Sequence, residues 1–144
     1  MSEALLPDLN AGLDELARVS RDRVVVFTHD PEAKGFWLNE YFPEIEEIDS
    51  GRLPKLGDLT TLFGHVLVVS VPVPHDCVDG FLGAYWRRPE RYLEADVRAG
   101  ISCFSEMNHL DQGLKALARD LESGAWTRTL ACSAACSRGR LALS

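Results

Sequence analysis

Arg23-Val-Val-Val-Phe-Thr28 is a short, continuous apolar run rich in β-branched residues, and it ends in the polar turn Thr28-His-Asp-Pro31. Such a run suits a strand covered on both faces, as strands of parallel sheets are. A second run of the same kind, His65-Val-Leu-Val-Val-Ser-Val71, follows further along. Between them Leu53, Leu56, Leu59, Leu62 and Phe63 recur at helical spacing, with Pro54 near the start and Gly64 where a left-handed C-cap would sit. Strand, helix, strand is the βαβ pattern, so the expected fold class is α/β with a mostly parallel sheet. Ligands of open α/β sheets usually lie beyond the carboxyl ends of the strands, which puts His29 and Asp30 in a favoured place. A turn that caps the following segment is the plainer reading of the same two residues.

Working back from the first strand, Leu9, Leu13, Leu16 and Ala17 describe an amphipathic helix, with Asp8 placed as its N-cap and Arg18, Arg21 and Arg23 gathered at the far end. Working forward, Glu32 to Ser50 reads as a short aromatic helix around Phe36, Trp37, Tyr41 and Phe42, then a solvated acidic turn with Glu44, Glu46, Glu47 and Asp49. After the second strand, Asp76 is placed to cap a helix whose apolar face is Val78, Phe81, Leu82 and Tyr85, extended by Trp86, with Arg87 and Arg88 in its last turn and Pro89 as its stop. Val97, Ile101 and Phe104 lie on one helical face. Leu110, Leu114, Leu117, Ala118 and Leu121 form the most regular helix, opened by Asn108 and closed by Gly124. The tail, 127–144, turns to Ala, Ser, Cys and Arg, with a weak apolar pattern only at its end.

A chain of 144 residues with 46% apolar and 26% charged residues is expected to form one globular domain. Its 15 Lys and Arg against 22 Asp and Glu give a formal charge of −7, which speaks against a sequence-independent nucleic-acid binder and for a small-molecule or protein partner. No apolar run approaches the ~20 residues that cross a bilayer, and the start lacks the layout of a signal peptide, so the expected location is the cytoplasm. Cys77, Cys103, Cys132 and Cys136 have no CxxC spacing and the four histidines complete no zinc pattern, so no metal site is expected and the thiols are read as free.

Several stretches together resemble the C-terminal half of class I S-adenosylmethionine-dependent methyltransferases, in a bacterial subgroup with a long insertion before the last strand. They are Leu6-Pro-Asp-Leu-Asn-Ala-Gly-Leu-Asp-Glu-Leu16, the run Arg23 to Pro31, Phe36-Trp37 with Tyr41-Phe-Pro43, Val71-Pro-Val-Pro-His-Asp-Cys77, Asp79 to Leu93, and Leu121-Glu-Ser-Gly-Ala-Trp126. The resemblance implies a partial Rossmann-like sheet over 1–126, with a helical insertion from about 76 to 124, and a poorly defined tail over 127–144. It implies S-adenosylmethionine as cofactor and a small molecule as methyl acceptor. The donor of such enzymes is held by a glycine-rich loop and an acidic residue on the next strand. Neither occurs in these residues, so no cofactor-binding residue is assigned, and the expectation is a truncated member, inactive alone. Gly139-Arg-Leu-Ala-Leu-Ser144 looks like a worn copy of the final strand.

On this resemblance Trp37, His75, Tyr85, Trp86 and Arg87 form the candidate acceptor site. The rings would cover an apolar acceptor, and the guanidinium would orient its anion. Core packing with a helix-terminal cation is the competing reading for the aromatics. A non-catalytic ligand-binding or dimerising module is the alternative for the whole chain, since open sheet edges favour association into a homodimer.

Overall fold

The computed structural model describes residues 9–129 and 138–143. Asp8, Cys132 and Cys136 therefore lie outside the described residues. Both β-branched runs form strands, β1 over Val25–Thr28 and β2 over Leu67–Pro72, and the end of the tail forms a third, β3, over Arg138–Leu143. The sheet order is β1-β3-β2, with both ladders antiparallel. The parallel pairing expected from the βαβ pattern is thus corrected. β1 and β2 do run in the same direction, but β3 lies between them and completes the hydrogen bonds of both. A period too weak to mark a central strand by itself takes that place because its neighbours supply both ladders.

The expectation of coverage on both faces is corrected too. Register aligns Val25, Leu143 and Leu67 in one row and Phe27, Leu141 and Val69 in the next, so these positions share a face. On that face Val25 is 61% exposed, Phe27 57% and Leu67 63%. On the other face of β1, Val26 is half-buried and Thr28 buried.

Three helices, those over Leu9–Val19, Leu56–Phe63 and Leu110–Glu122, follow the periodicity closely. Helix α1 spans Leu9–Val19, with Arg18 in its last turn bonded to Glu15. After β1, a 3-10 turn at Trp37–Glu40 leads into α2, Glu44–Arg52, which replaces the expected acidic turn. Its first-turn glutamates sit where the helix dipole favours negative charge, and that is what a reading of composition as solvated loop overlooks. Helix α3, Leu56–Phe63, ends at Gly64 with φ 74°, and its Leu59 packs on Leu13 of α1. Two more expected helices break up. The segment from Asp76 yields only a 3-10 turn at Leu82–Tyr85, and Val78 is 97% exposed. Gly80 and Gly83 weaken helix propensity there, and the Cys77 carbonyl, which a helix would give to the Phe81 N–H, accepts Arg88 instead. The Val97 to Phe104 face divides at Gly100 into α4, Ala95–Ala99, and a 3-10 turn at Ser102–Glu106, although Ile101 and Phe104 are both buried. Helix α5, Leu110–Glu122, is followed by Gly124 at φ 69° and by α6, Ala125–Thr129.

Apart from α1 and α3, which pack on each other, the helical segments share one core: Trp37, Leu38, Phe42, Ile45, Tyr92, Phe104, Leu117 and Trp126, with flanking residues. Each such large apolar side chain withdrawn from water contributes about 1.5–3 kcal/mol. The closest approach is at Gly113 of α5, where a Cβ would stand 2.3 Å from Phe42 Cε1 and 2.6 Å from the Tyr41 carbonyl oxygen. In an isolated helix Gly→Ala would stabilise by about 1 kcal/mol; here the contact reverses the sign. Gly113→Ala is expected to lower the urea-unfolding free energy by about 1–3 kcal/mol, and an unchanged or raised midpoint would show that α5 does not lie this close to Phe42.

Candidate functional site

Because β1 and β2 both run against β3, their carboxyl ends lie at the same edge of the sheet, with Thr28 and Ser70 both opposite Arg140. Two segments leave this edge: 29–36 after β1, and 73–81 after β2. At the first exit Asp30 is 7% exposed, and its Oδ1 accepts the Glu32 N–H at 3.1 Å, which makes a turn. His29 is exposed, its ring 6.2 Å from that of Phe36. The capping reading of this pair therefore has direct geometry behind it.

At the second exit the segment is held by two side chains from beyond it. Trp86 Nε1 donates to the Val73 carbonyl at 3.0 Å, and Arg88 Nη2 donates to the Cys77 carbonyl at 2.9 Å. Trp86 is itself held, since its carbonyl accepts Trp37 Nε1 at 3.1 Å. The two indoles thus form a relay from the interior of the helical layer to the end of β2.

The five sequence-derived site residues fall at different depths along that relay. Trp37 is 1% exposed and lies edge-on to Tyr92 at 5.8 Å and to Trp126 at 5.3 Å, so its ring is filled on all sides by protein. Tyr85 is 8% exposed, edge-on to Tyr92 at 5.7 Å, with the guanidiniums of Arg88 and Arg91 at 4.9 and 5.7 Å from its ring centre. Trp86 is half-buried, and the exposed Arg87 lies 5.4 Å from its ring. His75 is exposed. The structure brings Trp37, Trp86 and Arg87 into one connected set, with Tyr85 behind it. Only Trp86, Arg87 and His75 have surface to offer a ligand, while Trp37 and Tyr85 support them from within, as the packing reading of the aromatics has it.

Several supporting groups carry no signal in the sequence. Tyr92 is fully buried and donates to the Leu82 carbonyl at 2.5 Å, and burial pushes its phenol well above the ordinary tyrosine range. Tyr41 donates to Asp120 of α5 at 3.1 Å; burial, then the Asp120 carboxylate, push its phenol up to about 12. The Glu44 carboxylate at the start of α2 accepts the backbone N–H groups of Asn108 and His109 at 2.8 and 2.9 Å. It thereby caps α5 from another helix, and those two N–H groups hold its carboxyl below the usual carboxylate range. A sequence window sees none of these pairs, which are separated by 79 residues for Tyr41 and Asp120 and by 64 for Glu44 and Asn108.

Among the described residues no glycine cradle for a nucleotide-like methyl donor is seen. Such a cradle needs glycines immediately after a strand, where backbone can approach the ligand. Among the described residues the positive-φ glycines are Gly35, Gly64 and Gly124, and of these Gly64 lies before β2 rather than after it. Gly35 lies in the loop after β1, with no atom within 4 Å of a Cβ built there. Among the described residues no group of His, Cys, Asp and Glu could hold a metal ion, and no helix is long and apolar enough to cross a membrane.

With this geometry in view, comparison with known proteins gives one informative likeness. No family model matches the chain, and no curated protein matches it. Among solved structures it is similar to a protein of Anabaena variabilis assigned as a methyltransferase from an antibiotic biosynthesis pathway, at 34% identity over 95% of this chain, with a TM-score of 0.80. The chain spans 60% of the length of that protein. The likeness supports a methyltransferase fold for this mixed α/β chain.

Replacing Trp37 by Phe keeps an aromatic ring in the core but leaves the Trp86 carbonyl without its donor. Urea unfolding is expected to show a loss of about 1–3 kcal/mol, with the near-ultraviolet circular dichroism of the remaining tryptophans altered. An unchanged stability would mean that the indole relay does not hold the site together.

Proposed function

We propose that this chain is the acceptor side of an S-adenosylmethionine-dependent methyltransferase, acting on a small-molecule acceptor in the cytoplasm. The observation that carries the reading is the 34% identity and TM-score of 0.80 to a methyltransferase over 95% of the chain. The layout of the second strand exit supports it: a half-buried Trp86 beside an exposed Arg87 and His75, at the edge where ligands of α/β sheets are bound. Methyl transfer asks a protein chiefly for positioning and exclusion of water, and rings fixed by the indole relay suit that task. The absence of a glycine-rich loop from these residues supports the companion proposal that the donor site is not among them.

Isothermal titration calorimetry of the chain with S-adenosylmethionine is therefore expected to give no measurable heat at micromolar concentrations. Saturable micromolar binding would overturn the separation of acceptor side from donor site.

A second reading rests on a different observation, the apolar sheet face of Val25, Phe27, Leu67 and Val69, whose exposures run from 38% to 63%. A contiguous face of this kind favours association, and a homodimer is the reading in which the chain is a non-catalytic module. Sedimentation velocity is expected to show a concentration-dependent dimer that Phe27→Glu dissociates. A monomer at all concentrations, or a dimer indifferent to that substitution, would remove this reading.

A further inference from the structure

We infer that the acceptor carries a carboxylate and that Arg88, flanked by Arg87 and Arg91, is its seat. The inference rests on the acceptor-side reading above and gives it a substrate class. In a chain with 22 acidic residues, cations normally find carboxylate partners, as Arg52 does in Glu106 and Lys34 in Glu46. Arg91 does so as well, with Glu94 at 2.8 Å. Arg88 does not. Its Nη2 has only two carbonyls, Cys77 at 2.9 Å and Ala84 at 3.2 Å, and its Nε is shut from water without a hydrogen-bond partner among the described residues. One flank of its guanidinium is the Tyr85 ring, 4.9 Å away, which the Arg91 guanidinium also approaches.

A half-buried guanidinium with neutral partners, sharing a ring with a second cation, is electrostatically incomplete. A negative group close by would offset both the lost hydration and the like-charge repulsion. Nη1 of Arg88 has no protein partner among the described residues, so it remains to donate. Arg87 adds a third cation from the outer side of Trp86. With both Nη2 protons turned to carbonyls and Nε shut from water, Nη1 is the donor left for a carboxylate, and the Tyr85 ring under the guanidinium helps to hold it in place. The cluster bears on the exit of β2, because Trp86 and Arg88 staple the segment 73–81 that carries His75. An acid with an apolar body could thus set its carboxylate against the arginines and its body against Trp86.

Benzoate and benzamide have nearly the same shape and differ in charge, so they serve as probe and control. The side-chain Nε–H signals of the arginines, followed by NMR in the full chain, are expected to shift saturably with benzoate, Arg88 most, and to stay in place with benzamide. Arg88→Lys, with its fold checked by circular dichroism, is expected to weaken benzoate at least about tenfold, since a flexible ammonium does not keep the carbonyl bonds and ring contact that fix the Nη1 donor in place. No saturable benzoate shift in the wild-type chain, or equal binding of benzamide, overturns the inference without any variant having to fold. An Arg88→Lys chain that binds benzoate as well as the wild type also overturns it. These outcomes are separate from the calorimetry with S-adenosylmethionine: donor binding by the chain would reject the acceptor-side reading whatever benzoate does, and failure with benzoate would leave that reading standing without its carboxylate.

Discussion

Two indole hydrogen bonds, Trp37 to the Trp86 carbonyl and Trp86 to the Val73 carbonyl, join the parts of this protein that sequence keeps apart. The first bond spans 49 residues and the second 13, and together they run from the middle of the helical core to the last residues of a sheet strand. Each alone is worth only about 1 kcal/mol net. Their structural weight comes from where they end. Without them the segment after β2, which has Pro74 and no helix or strand of its own, would depend on the Arg88 bond to Cys77, its own Cys77-to-Pro74 turn bond and the packing of Cys77 and Phe81 to fix its course. The depth of Trp37 makes the relay stiff, because its ring is edge-on to Tyr41, Tyr92 and Trp126 and cannot swing without emptying the core.

That stiffness is unevenly distributed. The helical layer has a continuous core of buried aromatics, a close contact at Gly113 and a helix capped from another helix by Glu44. The sheet has short edge strands and a bare apolar face, and α1 and α3 pack on each other through a small cluster around Leu13 and Leu59. Opening of local structure costs least where few apolar contacts are broken. Exchange of the β1 amides is thus set by a weaker neighbourhood than exchange of the α5 amides. The exposed edge of Trp86, however, is attached to the stronger layer, so it keeps its shape independently of how well the sheet is covered.

Much of this was legible in the sequence, and the division follows the range of the forces. Helices α1, α3 and α5 were visible because each has its own apolar period and its own stop signal, as Gly64 and Gly124 illustrate. Both β-branched strands were visible for the same local reason. The direction of the sheet was not, because pairing is decided by β3, whose residues Arg138–Leu143 have a weak period and lie 66 or more residues from β2. The helix expected from Asp76 failed because a short apolar face with two glycines in it was outweighed where the Cys77 carbonyl is taken by Arg88. In the site, residue types were legible and depth was not: the sequence marks Trp37 and Trp86 alike as aromatic, and only packing decides that one is interior and the other half-exposed.

Depth also changes what each aromatic can contribute. A wall made of five equal side chains would be an open pocket, with affinity spread over all of them. The observed gradation, with Trp37 fully interior, Tyr85 nearly so, Trp86 half-buried and Arg87 outside, is a pillar with a narrow face. Only the outer end can touch a ligand, and each inner ring fixes the one beyond it. Selectivity on such a face must come from few contacts, and charge is then the strongest discriminator available, because apolar contacts of one or two rings separate similar molecules by little. Three arginines within five residues, in a chain whose formal charge is −7, are placed where that discrimination would have to be made.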